Sequence, residues 1–268
     1  MNIENLEKKI NDFLGSKKTD LNYLEFLENL HPAISVMENS EHKGSFKEPT
    51  FNKLFFPNAI LKDVCELDMI RFSYNILKSK NKDPNLDAII NVIEKMPQDD
   101  YKVKKLRVNV YLSLQYVYSG FFNIELYKEV SGVMVNSMHK LEEIIRYNKK
   151  EVLGIGYDSI SFVADEKEGQ RVCNEVNKQL ETKVRVRYYP KVVKVMDLSN
   201  YHLPDGKVIL KRLTRTPEQY ESVKQEMLKC VEMGDFPGAY KAIVDCDLST
   251  KVKKRYVAVL NEIKKRGV

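Results

Sequence analysis

Apolar residues recur at helical spacing from the start of the chain, at Ile3, Leu6, Ile10, Phe13 and Leu14 and again at Leu21, Leu24, Phe26, Leu27 and Leu30. Two short helices separated by Gly15-Ser16 are predicted. From 31 to 58 the pattern dissolves into Pro32, Gly44, Pro49 and Pro57 among polar residues, an extended or loop segment. Residues 59–68 read as a strand and 69–80 as a helix running away from its end. Asp83-Pro84 signals the start of a short helix over 86–95, and two longer helices follow over 101–118 and 125–147. Between 151 and 163 two apolar runs flank Gly154-Ile-Gly-Tyr-Asp158, predicting two strands joined by a tight turn. A helix over 170–181, a strand over 183–187 and two strands over 192–201 and 207–213 come next, the last two joined at Leu203-Pro-Asp-Gly206. The remaining residues read as helices, opened by Thr216-Pro217-Glu218 and divided at Gly234-Asp235. Strands interleaved with long helices, without a regular βαβ rhythm, predict an α+β fold with a sheet domain followed by a helical one.

Composition narrows the class. At 268 residues with 43% hydrophobic and 31% charged positions, the chain is an ordinary globular protein with room for one large or two modest domains. It lacks a long apolar span, and its amphipathic start is not a signal peptide. The expectation is therefore a cytoplasmic, intracellular protein with no membrane partner. Cys65, Cys173, Cys230 and Cys246 are widely spaced, which predicts free thiols rather than a zinc site or a disulfide framework. The net charge of +6 is unevenly distributed. Residues 183–215 hold nine lysines and arginines against two acids, and residues 249–268 hold seven against one. Such clustering suits either phosphate contact or a solvated helix and strand face.

Gly154-x-Gly156 lacks the following helix that a dinucleotide fingerprint requires, and the four histidines have no metal or triad spacing. Asp68 and Asp158 carry more weight. One ends an apolar strand and the other sits in a turn between two, so both can project from neighbouring strand ends. Paired carboxylates there can hold two Mg²⁺ ions for phosphoryl transfer, or each can simply cap a turn or helix.

Five stretches, taken in order, resemble a family B DNA polymerase. Lys43-Gly-Ser-Phe-Lys-Glu-Pro49 is similar to the segment that contacts the template in that family. Val64-Cys-Glu-Leu-Asp68-Met-Ile-Arg-Phe-Ser-Tyr74 resembles the first palm motif, with Asp68 in the place of a metal-binding aspartate. Lys105-Leu-Arg-Val-Asn109 matches the fingers-helix motif, and Gly120-Phe-Phe-Asn to Tyr127-Lys-Glu-Val its continuation into a palm helix. Val152-Leu-Gly-Ile-Gly-Tyr-Asp158-Ser resembles the third motif, and the chain from Asp205-Gly-Lys through Asp235 looks like the start of the thumb. The resemblance covers about residues 43–248. It implies an N-terminal helical segment over 1–42, a polymerase-type palm over 43–213 with an antiparallel sheet packed on long helices and rudimentary fingers at about 81–105, and a small helical thumb over 214–268. It also implies Asp68 and Asp158 as catalytic residues and ligands of Mg²⁺ or Mn²⁺. Lys105, Asn109, Ser73 and Tyr74 would bind the incoming dNTP. Tyr201, Lys207, Lys211, Arg212 and Arg215 would contact a primer–template duplex, joined by Lys253, Lys254 and Arg255 of the last helix.

Departures accompany the match. Ser73 or Tyr74 stands where a sugar-sensing tyrosine belongs, Gly156 replaces the first aspartate of the third motif, and only Tyr201 survives of the Lys-Lys-x-Tyr that grips the primer. The fingers are nearly absent, with Lys95, Lys102 and Lys104 as partial substitutes, and 42 leading residues leave no place for an exonuclease. Two readings follow. The first is a minimal DNA polymerase-like nucleotidyltransferase that extends a primer 3′-OH. The alternative is a catalytically impaired DNA-binding or scaffolding subunit, or the palm and thumb of a split enzyme with other replication subunits as partners.

Overall fold

A computed structural model describes residues 3–16, 22–30, 53–54, 58–116, 121–180, 183–196, 198–212 and 221–266. The predicted template-contacting segment at 43–49, the helix start at 216–218 and the domain boundaries at 42/43 and 213/214 lie outside them. The fold is α+β. Among the described residues one sheet has seven strands in the order β1-β3-β4-β2-β5-β6-β7, with every neighbouring pair antiparallel. The chain forms two compact units, one from Met1–Thr50 with Ile70–Ser137, the other from Phe51–Met69 with Met138–Val268.

The first unit is helical: α1 (Ile3–Gly15), α2 (Tyr23–Leu30), α3 (Phe72–Lys80), α4 (Pro84–Glu94), α5 (Tyr101–Ser113) and most of α6 (Ile124–Tyr147). The predicted start of α3 at 69 moves to Phe72, because the preceding strand runs through Met69 and Arg71 adopts a left-handed conformation with φ 53°. Asp83 caps α4 by accepting from the Asn85 and Leu86 N–H groups at 2.8 and 3.4 Å. Leu86, Ile89, Ile90 and Ile93 of that helix are buried, and Lys102 ties α5 to the carbonyls of Leu14 and Ser16 at the C-terminal end of α1.

The second unit carries the sheet: β1 (Lys53–Leu54), β2 (Ala59–Met69), β3 (Val152–Ile155), β4 (Ser159–Val163), β5 (Val184–Val195), β6 (Leu198–His202) and β7 (Val208–Arg212). Strands predicted over 183–187 and 192–201 are redivided. β5 runs unbroken through Pro190, and the break comes at Met196, whose φ of 54° opens the hairpin to β6. Across the ladder from Pro190 stands Asp63, left-handed at φ 53°, and the pairs on either side, Lys62 with Lys191 and Val64 with Tyr189, keep one register. The Asp63 carbonyl accepts from the Ala164 N–H at 2.8 Å and needs no donor from proline. The Tyr188 hydroxyl donates to Asp63 Oδ1 at 2.6 Å, and this bond pushes the phenol up to about 12. As predicted, Leu203–Gly206 turns the chain from β6 to β7, with Gly206 at φ 82°.

Helix α7 (Glu166–Gln179) starts four residues before the expected 170, since Asp165 accepts from the Glu168 N–H at 2.8 Å and caps it. It lies against one sheet face so closely that a Cβ on Gly169 would come within 2.3 Å of Cys65 Sγ. Burial, reinforced by Asp165, Glu166 and Asp63, pushes the Cys65 thiol from 9.0 up to about 12. The thiolate at pH 8 is then roughly a thousandfold rarer than in the unfolded chain. Native protein at pH 8 is expected to leave Cys65 unalkylated by iodoacetamide while urea-unfolded protein is labelled, as peptide mass spectrometry reads directly. Because the folded value lies above the unfolded one, the stability linked to this thiol is complete below pH 9 and lost as pH climbs through 12.

The C-terminal helices α8 (Glu221–Glu232), α9 (Phe236–Asp245) and α10 (Thr250–Lys265) share one core with the sheet. Met227, Leu228, Val231, Ala239, Ile243, Tyr256 and Leu260 close over Val193 and Val195 of β5 and Leu198 of β6. Gly234 at φ 75° and the Asp235 cap on the Gly238 N–H, at 3.0 Å, make the predicted break between α8 and α9. Among the described residues no helix is long and apolar enough to cross a membrane.

Candidate functional site

Strand pairing puts the charged residues of β2 and β5 in register. Glu66 and Asp68 alternate with the buried Cys65 and Leu67, so both acids occupy one sheet face and the apolar pair the other. Across the ladders, Asp68 faces Ser159 on β4 and Arg185 on β5, while Glu66 faces Ser161 and Arg187. Two rows of serine, carboxylate and arginine result.

The arginines close on the carboxylates. Asp68 Oδ2 accepts from Arg185 Nε at 2.7 Å and from Arg187 Nη2 at 2.9 Å, and Arg185 Nη2 lies 2.6 Å from the same oxygen. Arg187 Nη1 donates to Glu66 Oε1 at 3.3 Å. The acids are nearly covered, with side chains 13% and 11% exposed, whereas Arg185 and Arg187 are 52% and 39% exposed. Burial opposes the charge on Arg187, but Asp68 and Glu66 outweigh it and raise its guanidinium above the ordinary value.

Asp158 lies exposed in the β3–β4 turn, which closes through the Gly156 N–H donating to the Ser159 carbonyl at 2.7 Å. Its own carbonyl accepts from the Met69 N–H at 2.7 Å, so the backbones of Asp68 and Asp158 meet at adjacent strand ends, as the sequence pattern predicts. Among the described residues no group of three or more His, Cys, Asp or Glu side chains is arranged to hold a metal ion.

Lys105, Asn109, Ser73 and Tyr74 belong to the first unit, Asp68 and Asp158 to the second. Lys105 is exposed, its ammonium 5.5 Å from the centre of the Tyr101 ring, and Asn109 Nδ2 donates to the Lys105 carbonyl at 2.9 Å. Ser73 is half-buried. Tyr74 is 1% exposed, its hydroxyl donating to the Ile90 carbonyl at 3.3 Å, and burial raises its pKa. Such a phenol serves packing. Tyr74→Phe is expected to cost about 1 kcal/mol in a urea titration, the worth of one buried hydrogen bond. Of the substitute cations, Lys95 sits 4.0 Å from Glu7, Lys102 holds α1, and Lys104 is exposed.

Tyr201 is half-buried beside Val64, Leu153 and Val192, its ring edge-on to Tyr189 at 4.8 Å. Lys207 is exposed at the β6–β7 turn and pairs with Asp205 at 3.1 Å. Lys211 and Arg212 lie in β7, and Arg215 falls outside the described residues. On α10, Lys254 and Arg255 are exposed, whereas Lys253 Nζ donates to the Val244 carbonyl at 2.7 Å and so binds the end of α9.

Arg185, Arg187 and Glu66 are the residues that motif reasoning misses. Their signal is a pair of complementary period-two patterns, Glu66-Leu-Asp68 against Arg185-Val-Arg187, and it becomes visible only once β2 and β5 are known to pair. Arg107 is likewise unforeseen. It is buried against Gln98, with Nη1 2.6 Å from Oε1, and burial together with the nearby Arg71 lowers its pKa.

No protein-family profile and no curated protein matches the chain. Among solved structures it is similar to the family B DNA polymerase from the hyperthermophilic archaeon Pyrobaculum calidifontis, with 17% identity and a TM-score of 0.47 over 82% of this chain. The match spans 34% of that polymerase, about a third of its length.

Proposed function

We propose that this chain is a nucleic-acid-binding protein with a polymerase-like palm and thumb, which holds primed duplex without two-metal nucleotide addition at Asp68 and Asp158. The observation that carries the reading is the occupation of Asp68 Oδ2 by two arginines. Mg²⁺ requires anionic oxygens in near-octahedral array and sheds its water reluctantly. Two guanidinium charges on the carboxylate neutralise it and repel a divalent cation approaching the same oxygen. With Asp158 exposed in a turn, the donor set does not fit a two-metal centre.

What the chain retains is positive charge suited to a phosphate backbone. Residues 183–215 and 249–268 are strongly basic, and Lys254 and Arg255 are exposed on α10. The collinear motif resemblance supports primed duplex as the ligand. One observation favours the enzymatic reading instead, the contact of the Met69 N–H with the Asp158 carbonyl, which keeps the two strand ends together.

Fluorescence anisotropy with a labelled primed duplex separates the two. Binding is expected in EDTA, with a steep salt dependence and no change on Asp158→Asn. Lys254→Gln/Arg255→Gln is expected to reduce the salt slope by about 2 units. Absence of duplex binding, or binding that appears only with Mg²⁺ and is lost in Asp158→Asn, refutes the proposal.

A further inference from the structure

We infer that Arg185 and Arg187 form a fork that binds the phosphodiester backbone on the open half of the sheet, with Asp68 and Glu66 as its anchors. The inference rests on the nucleic-acid-binding reading and names the group that meets the ligand. Its first support is position. β6 pairs only with 191–195 of β5, so over 184–189 the one strand paired with β5 among the described residues is β2. Strand alternation places Arg185, Arg187 and Tyr189 on a common face, which continues past Pro190 at Val192 and Tyr201, since the Tyr189 and Tyr201 rings meet at 4.8 Å and both lie beside Val192. The C-terminal helices cover the opposite face at Val193 and Val195, and Glu232 of α8 reaches Lys191 at 3.3 Å. Arg185 and Arg187 remain substantially exposed on their own face.

The second support is donor geometry. A guanidinium has five N–H groups in a rigid plane. Arg185 contacts Asp68 through Nε and Nη2, leaving Nη1 outside these contacts. Arg187 divides its Nη groups between Asp68 and Glu66. Both planes are thus fixed before any ligand arrives, which lowers the entropy cost of binding. Ser159 and Ser161 supply neutral hydroxyls in the same two rows. Two residues apart on one strand, the arginines are spaced about 6.6 Å at their Cα atoms, comparable with the step between successive phosphates along a nucleic-acid strand. The carboxylates keep the local charge balanced, so the fork recognises shape and donors while the basic C-terminal third supplies attraction at range.

The test uses the full chain in EDTA with ¹⁵N-labelled arginine. Nε–Hε resonances of Arg185 and Arg187, assigned through Arg185→Lys and Arg187→Lys, are expected to shift on adding primed duplex and to saturate at the concentration that anisotropy reports. A metal-free deoxynucleoside triphosphate is expected to move them at least ~10-fold less at equal phosphate concentration; the opposite order overturns the assignment to the backbone. Arg185→Lys/Arg187→Lys keeps the charge on Asp68 and hence the fold, but loses the planar fork, and is expected to bind duplex ~5- to 10-fold more weakly at an unchanged salt slope. Duplex binding with both resonances unmoved, or with wild-type affinity in the double variant, overturns the inference while leaving the nucleic-acid-binding reading intact. Wild-type protein that fails to bind duplex overturns both.

Discussion

Arg185→Ala/Arg187→Ala is expected to lower the unfolding free energy by about 2–4 kcal/mol. Breaking a buried ion pair by removing one side costs ~3–5 kcal/mol, because a charge is left in a poorly solvated place. The whole range is lowered by about 1 kcal/mol, since the guanidiniums are 52% and 39% exposed and partly screened by water. The penalty lies mainly with Asp68 and Glu66, which stay covered on the sheet after their partners have gone. Two further measurements separate this cause from lost packing. Glu66→Gln/Asp68→Asn added to the double variant is expected to restore most of the stability, because neutral amides need no counter-charge. Mn²⁺ is expected to raise the unfolding midpoint of the double variant and leave that of the wild type in place, since a cation that binds only the folded form stabilises it in proportion to its occupancy. Equal stabilisation of both proteins by Mn²⁺ would mean that the arginines do not exclude a cation.

Gly169→Ala carries the second large effect. The added Cβ would sit 2.3 Å from Cys65 Sγ and 3.3 Å from its Cβ, inside a core where Cys65 is fully buried. Overpacking of this kind costs ~1–3 kcal/mol, against a gain of up to ~1 kcal/mol from better helix propensity. A net destabilisation of about 1–2 kcal/mol is expected by urea titration. Cys65→Ala removes the obstructing sulfur, so the double variant is expected to be more stable than the sum of the single changes predicts, with a coupling of about 1 kcal/mol. Additive effects would place the strain elsewhere in the contact between α7 and the sheet.

The pattern of apolar positions foresees the sheet core and most helices, because β4 alternates with a period of two, β2 is a bounded apolar run and α6 follows a period of 3.6. It divides β5 wrongly. The gap expected between 187 and 192 is bridged by β2, which pairs with β5 on both sides of Pro190. The start of α7 was missed because Asp165 caps from outside the apolar repeat.

The site was legible in a different sense. Motif spacing located Asp68 and Asp158 at adjoining strand ends, where the Met69–Asp158 backbone bond now joins them. The charge environment of Asp68 was not legible, because Arg185 lies 117 residues away in sequence and reaches Asp68 only through the pairing of β2 with β5. In sequence those arginines counted only toward a basic segment. Tyr74 shows the same limit, as its burial against α4 depends on packing that no motif records.

The most direct test of the central claim is a crystal of the chain soaked in Mn²⁺ and measured for anomalous scattering. Arg185 and Arg187 are expected to remain on Asp68 Oδ2, with no anomalous peak at coordination distance from that carboxylate. A Mn²⁺ ion bridging Asp68 and Asp158, with the arginines displaced, would contradict that claim and restore the polymerase reading.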